Sequence, residues 1–255
     1  MGLLLDETES TPLKVLSVLN RMRTGEARLW EGARFIIAEV PLDRKETERI
    51  LPFGLRPAKP ASGMLFIVNY LKNNFTVPYK ECGLLVKVKT LLGQGVHCCW
   101  MLVDDDAALI YGRELLGYPK KLASFTFEEK GGHAVAGATR RGVTVLAMEC
   151  EKGAPQNPAP PVFEQKTFNV GGLGQFFALN PVWLIKPREI IKESYAAKVS
   201  VKISPSDYDP ISRLVAGDPV SGRFVVADIP GTHYNLPVWI AGLRYFANTF
   251  EMRYK

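Results

Sequence analysis

Segments with strand-forming patterns dominate this 255-residue sequence, and helices do not separate them at regular intervals. Parallel strands need a long crossover, usually a helix, so a parallel sheet shows sustained alternation of strand and helix patterns. That alternation is missing here. The pattern therefore predicts an α+β fold, namely an antiparallel-rich, partly open β-barrel or strongly curved sheet with a central cavity and peripheral helices.

The whole chain, 1–255, is predicted to form a single domain. A proline-rich stretch at 153–161, GAPQNPAPP, is interpreted as a loop within that domain rather than a linker, because strand patterns continue on both sides. Residues 1–30 are predicted to add a peripheral helix, since leucines repeat at helical spacing through 13–22. Strand or mixed segments are predicted at 34–40, 64–71, 79–89, 96–103, 122–127, 133–140, 143–149, 190–203, 223–229 and 238–253.

One helix is marked unusually clearly, in the sequence DDDAALIYGRELLGYPKK at 104–121. Aspartates can cap its start, Gly117 is a natural C-terminal stop, and Pro119 cannot continue the helix. Lys120 and Lys121 follow at once, and a strand-like run comes after them. Two ammonium groups are therefore fixed where a helix gives way to a strand, with apolar residues on both sides.

A lysine can attack a carbonyl only when its amine is neutral, and its ordinary pKa is about 10.4. Working near neutrality requires a depression of roughly 3 units, which burial alone can provide. A neighbouring ammonium contributes only about 1 kcal/mol in bulk water at about 4 Å, and more in a dry site. If one lysine of the pair is a nucleophile and the pair is not simply solvated at the surface, we expect burial to lower its pKa more than the second lysine does. Strand parity does not choose between the two lysines.

The run GRELLGYPKKL, residues 112–122, resembles the signature of the acetoacetate decarboxylase family. The resemblance implies a barrel that encloses the reactive lysine. It also implies that the protein assembles into homo-oligomers and that its reaction needs no cofactor. It implies that Lys120 forms a Schiff base with a β-keto acid and that Lys121 is the perturbing neighbour. The family's lysine activation by desolvation or a cationic neighbour is a known pattern.

Further site residues follow from the same resemblance. The segment Val77–Glu81 is similar to a family segment containing a tyrosine, one variable residue and a glutamate, which implies a catalytic Glu81 and a substrate-binding Tyr79. Arg34 is the candidate for a substrate-contacting arginine on an early strand, with Arg28 as the alternative. A one-residue slip would reverse the facing of that side chain.

The sequence departs from the family pattern in two places. The strand that carries a second glutamate in the family reads MLFIV at 64–68 and has no acid. A later family strand is replaced by the glycine-rich VGGLGQFFALNP at 170–181, whose GGLG is interpreted as a glycine turn rather than a phosphate loop. These two departures predict a drier or reshaped pocket, and therefore a substrate other than the keto acid of the family.

Composition excludes several other classes. The net charge is +6, but the basic residues are scattered among acids, so we predict no nucleic-acid binding and instead a small anionic keto-acid substrate. The four cysteines are interpreted as reduced core thiols, and the three histidines are too dispersed for a metal site. No signal peptide or membrane span is predicted, which favours a cytoplasmic protein.

Three functional hypotheses remain open from the sequence. The first is a cofactor-independent Schiff-base decarboxylase of acetoacetate or a related β-keto acid, releasing CO2 and a ketone. The second keeps the imine for aldolase or dehydratase chemistry on a 2-oxo acid. The third is a non-catalytic small-molecule binding protein on the same scaffold.

Overall fold

The computed structural model describes residues 29–163, 165–171 and 180–255. Within these ranges thirteen strands form one mostly antiparallel sheet, accompanied by three α-helices. The strands are β1 Trp30–Pro41, β2 Arg56–Pro57, β3 Ser62–Tyr70, β4 Lys72–Asn73, β5 Tyr79–Thr90, β6 Gly93–Val103, β7 Lys120–Leu122, β8 Ser124–Lys130, β9 His133–Arg140, β10 Val143–Pro155, β11 Thr167–Val170, β12 Pro181–Ile203 and β13 Ser221–Ile240. The helices are α1 Arg44–Ile50, α2 Asp106–Leu116 and α3 Leu243–Arg253, with a short 3₁₀ turn at Pro210–Arg213.

Seven strands close into a ring in the order β11-β6-β5-β3-β1-β13-β12, and β12 pairs back onto β11. All neighbours in the ring are antiparallel except β11 and β6. Strands β10, β9 and β8 continue from the second half of β12 as a side sheet. The predicted antiparallel-rich barrel with peripheral helices is therefore confirmed.

The barrel strands carry two apolar faces, which belong to different clusters. One face gathers aromatic and aliphatic side chains from β1, β3, β5, β6 and β13, including Phe35, Phe66 and Tyr79. The opposite face packs against alanines and other small residues of β9 and against β10, with Trp100 near its centre. Because directly paired residues of neighbouring strands point to the same face, the strand register fixes which face each functional side chain joins.

The structure refines three sequence predictions about these elements. The segment 238–253 is mostly the helix α3, because Tyr245, Thr249 and Met252 are buried at helical spacing. The single strand predicted at 122–127 is two strands, since the chain changes its pairing partner from β6 to β9 around Ala123. Strand β12 begins well before 190 and accommodates its second proline, Pro187, at a register shift.

The predicted N-terminal helix at 13–22, the glycine turn within 172–174 and Arg28 lie outside the described residues. In the part of the chain that the structure covers, every helix is too short or too polar to cross a membrane.

Candidate active site

The lysine pair follows a helix end that the sequence specifies locally. Asp105 caps α2 by accepting a hydrogen bond from the Ala108 amide at 2.7 Å. At the other end Gly117 has φ 68°, a conformation that glycine adopts without steric cost, and its amide bonds to Arg113 O. The predicted helix stop is confirmed, and the chain enters β7 directly afterwards.

The strand register sends the two lysines to opposite faces of the sheet. Strand β7 runs parallel to β6, with Lys120 beside Met101 and Lys121 beside Leu102. Glu81 pairs with Val103, which lies on the Met101 face. Lys120 therefore shares a face with Glu81, while Lys121 points to the face of Trp100.

Lys120 and Glu81 form a buried ion pair. Nζ of Lys120 lies 2.5 Å from Oε2 of Glu81, and both side chains are only 7% exposed. The ammonium is thus the charged partner that compensates the burial of this carboxylate. Oε2 is also within reach of the ammonium protons and can accept one of them.

Helix α2 holds Lys120 through direct contact. A Cβ placed on Gly112 would come within 2.4 Å of Lys120 Cε and 2.9 Å of Nζ, so only glycine leaves room for the lysine tip at this position. The next residue, Arg113, donates from Nη1 to Lys120 O at 3.0 Å. The Gly112-Arg113 dipeptide therefore fixes both the side chain and the backbone of the lysine.

Aromatic rings surround the pair. Nζ of Lys120 lies 5.8 Å from the Tyr79 ring centroid, and the Tyr79 hydroxyl accepts from Trp30 Nε1 at 2.8 Å. Tyr70 packs against Tyr79 with 4.7 Å between ring centroids and an angle of 40° between the ring planes. Burial, reinforced by the charge of Glu81, raises the pKa of both phenols well above the ordinary value, so both stay neutral. The phenol groups on this face are thus buried and uncharged.

Tyr118 and Cys98 complete these surroundings electrostatically. Burial is the main cause that raises the pKa of both, and Glu81 adds to it in each case. The Cys98 thiol is therefore protonated and unreactive, in agreement with its interpretation as a core thiol. All four cysteines are free and buried.

Lys121 belongs to a separate buried cluster centred on Asp209. Its Nζ lies 2.6 Å from Asp209 Oδ1 and donates to Tyr208 O at 2.8 Å. The fully buried carboxylate also accepts from Trp100 Nε1 at 2.8 Å and Arg140 Nη1 at 3.0 Å. Burial opposes ionisation of Asp209, but Lys121, Trp100 and Arg140 outweigh it and keep the Asp209 pKa below its ordinary value.

Burial lowers the pKa of Lys121 to about 8, against the opposing attraction of Asp209. The unfolded chain has the ordinary value of about 10.4, so between these pH values it binds a proton that the native state lacks. We therefore expect Lys121 to make the free energy of unfolding rise from about pH 8 to about pH 10.4 and to stop contributing to the slope below pH 8. Urea unfolding across this range, compared with Lys121→Met, measures the contribution. An equal slope in the variant would contradict it.

The structure does not bring Arg34 into the Lys120 pocket. Its neighbours Ala33 and Phe35 face that pocket, whereas Arg34 points the other way and binds Glu129 Oε2 at 2.6 Å. Glu129 is shared with Lys152 at 2.5 Å. A register shift in β1 before Ala33 accompanies this facing. The placement of Arg34 beside the lysine was wrong.

Lys120, Glu81 and Tyr79 thus meet, while Lys121 and Arg34 do not join them; the chemical roles of all five stay predictions. On β3 the pocket face carries Met64, Phe66 and Val68, so the missing second acid is replaced by apolar side chains. The sequence reasoning gave no role to Gly112, although it stands in the quoted motif, and it missed Tyr70 and Asp209. Neither of those two stands in a motif that could have signalled it.

The fold and the site together define a class: closed, mostly antiparallel β-barrel proteins with a buried lysine–carboxylate pair that packs against a glycine of the preceding helix. The family model described as acetoacetate decarboxylase matches residues 20–236. The chain belongs to the acetoacetate decarboxylase family.

Individual relatives are distant. An acetoacetate decarboxylase of Burkholderia ambifaria is 24% identical over 204 residues, which cover 76% of this chain and 82% of that protein. The crystal structure of acetoacetate decarboxylase from Legionella pneumophila superposes with a TM-score of 0.73 at 18% identity, covering 84% of this chain and 86% of that one. The enduracididine biosynthesis enzyme MppR, complexed with pyruvate, gives 0.66 at 12% identity, with 81% and 88% covered. At these identities the two structures show the fold alone.

Proposed function

We propose that this protein decarboxylates acetoacetate or a related β-keto acid through a Schiff base on Lys120. The observation that carries the proposal is the buried contact between Lys120 and Glu81, 2.5 Å apart beside the Tyr79 ring, in a chain of this family. Glu81 Oε2, 2.5 Å from Nζ, is within reach of the ammonium proton that Lys120 must lose before its amine can attack.

The free amine attacks the ketone carbon and water leaves, which gives a protonated imine. As the bond to the carboxylate breaks, CO2 departs and its electron pair moves into the imine to form an enamine. Protonation of the enamine carbon and hydrolysis of the imine then release the ketone and restore Lys120. Glu81 is placed to hold or return the proton, and no cofactor enters any step.

Release of CO2 over a panel of β-keto acids tests this function. We expect turnover of acetoacetate or of an analogue with a larger apolar substituent, because the β3 face of the pocket is apolar. Absence of CO2 from every β-keto acid would contradict the proposal. A small keto-acid ligand, a homo-oligomer and a cytoplasmic location remain predictions.

A second candidate keeps the imine but acts on 2-oxo acids. MppR, a structural neighbour, has been captured with pyruvate and with a condensation product of pyruvate and imidazole 4-carboxaldehyde. The apolar β3 face, which lacks the second acid, also favours a departure from the family reaction. Incubation with pyruvate and an aldehyde separates the candidates, since a condensation product without CO2 release would favour the second.

Gly112→Ala should reduce catalysis far more than stability. The added methyl occupies the space of the Lys120 tip and must displace it by about an ångström, which costs about 100-fold in kcat/KM. Alanine is the better helix former by about 1 kcal/mol, so unfolding should change little.

Steady-state kinetics and thermal unfolding measure the two effects of Gly112→Ala. Gly217→Ala is the matched control, because its added methyl would meet only Pro41 at ordinary contact distance. Unchanged kinetics in Gly112→Ala would remove the positioning role.

A further inference from the structure

A strongly cationic cleft of about 780 Å³ opens between α2, β7, β9 and the end of α3. It has a single acidic lining residue, Asp104, which is 3.6 Å from Lys80. Its cationic lining residues are Arg113, Lys120, Lys121, Arg140, Arg141 and Arg253.

Three of these six cations are paired, but with only two carboxylates. Lys120 is paired with Glu81, and Asp209 serves both Lys121 and Arg140. The other three, Arg113, Arg141 and Arg253, make no ion pair with any described carboxylate. The cleft therefore carries an excess of positive charge that the surrounding protein does not neutralise.

The deepest of these charges is Arg253, which is only 4% exposed. Its guanidinium donates to Val170 O at 2.8 Å and to the Tyr245 hydroxyl at 3.4 Å, both neutral acceptors. Burial disfavours the charge of Arg253, whereas hydrogen bonds to Tyr245 and Tyr254 and their rings, each 5.9 Å from Cζ, offset that cost without supplying a carboxylate. Arg253 thus supplies a desolvated guanidinium at the wall of an open cleft.

Arg113 lies beside it. Its Nη1 donates to Lys120 O and Arg253 O, each at 3.0 Å, and no described residue accepts from its Nε or Nη2. Burial first, and then the charge of Arg253, lowers the Arg113 pKa, which reflects repulsion between the two guanidiniums. At the cleft edge Arg141 is held over the Tyr208 ring, 4.3 Å from its centroid.

We propose that this cleft binds a small oxyanion, a carboxylate or phosphate group, between Arg113 and Arg253 with Arg141 at the rim. Guanidinium groups suit such ligands because their planar N–H donors match two oxygens at once. The bound anion relieves the repulsion between the arginines. Since Arg113 also holds the Lys120 carbonyl, the site adjoins the backbone of the reactive strand. The cleft shares Lys120 with the active site of the proposed function, but the proposal concerns binding alone, so it can fail while CO2 release is retained and can hold while CO2 release is absent.

Isothermal titration of the full-length protein with inorganic phosphate, and separately with acetate, tests the site at low ionic strength. We expect saturable binding of at least one ion that weakens as chloride is added. Arg113→Gln should weaken it about tenfold or more, as expected for loss of charged hydrogen bonds. The matched control is Arg56→Gln, which removes the same charge from an exposed arginine outside the cleft. Its affinity should equal that of the wild type.

The stronger-binding ion identifies the group as phosphate or carboxylate. No saturable binding of either ion overturns the proposal, and so does equal affinity in a folded Arg113→Gln variant. Should that variant fail to fold, Arg113→Lys keeps the charge but loses the planar fork, and Arg141→Gln removes the rim charge without touching Lys120. Wild-type affinity in both would equally overturn the proposal.

Discussion

Replacing Lys120 with Gln should reduce CO2 release by roughly 10⁴-fold or more, because the covalent route through the imine is lost. Glutamine is unbranched up to its amide and has a polar end, though it is one bond shorter, and it has no amine to attack a ketone. Borohydride added during turnover should reduce the imine in the wild type and leave a stable adduct on Lys120. Kinetics of CO2 release and mass spectrometry of the digested protein measure both effects.

Lys130→Gln is the matched control, since Lys130 is exposed at the end of β8 and lies far from the pocket in the register. It should retain wild-type turnover and the adduct. An adduct found on Lys121, or undiminished turnover in Lys120→Gln, would sink the assignment of Lys120 as the nucleophile. A wild-type protein that releases no CO2 but is trapped on Lys120 with pyruvate would instead support the 2-oxo acid reaction.

Asp209→Asn should destabilise the protein by about 3–5 kcal/mol, the cost of breaking a buried ion pair from one side. The substitution keeps the shape of the side chain but leaves Lys121 and Arg140 buried without their shared counter-charge. The free energy of unfolding in urea measures the loss. The loss of stability should be far smaller for Asp207→Asn, because Asp207 is exposed.

A double variant separates two contributions to the lost stability, namely the missing ion-pair attraction and the burial of an ammonium without a counter-charge. Adding Lys121→Met to Asp209→Asn removes one unpaired ammonium, so part of the lost stability should return. A loss below about 1 kcal/mol in Asp209→Asn alone would show that solvent reaches the cluster, because exposed ion pairs contribute about that much or less.

The features that sequence predicts well here are local. The aspartate cap, Gly117 and Pro119 define the end of α2 within a few residues, so the position of the lysine pair follows from turn chemistry. The resemblance added Glu81 and Tyr79, which the structure places beside Lys120. Strand patterns dominate the sequence and do not alternate regularly with helices, and this was enough to predict a barrel-like sheet.

The features that sequence could not supply depend on closure of the fold. Trp100 and Asp209 bond across 109 positions of the chain, and no motif marks that encounter. The direction of Arg34 depends on the register shift in β1, and a change of one residue reverses the facing of a strand side chain. Gly112 was visible in the motif, but its contact with Lys120 exists only once α2 packs against β7.

The pairing of β1 with β13 joins the early and late parts of the chain, as in the contact of Phe35 with Val225. During synthesis the first strand must wait for nearly the entire polypeptide before its partner emerges. Such distant pairings make folding slow and leave an open sheet edge in the meantime. The buried surroundings of Lys120 are therefore among the last parts to be completed, and the lysine of a nascent chain stays in contact with solvent until then.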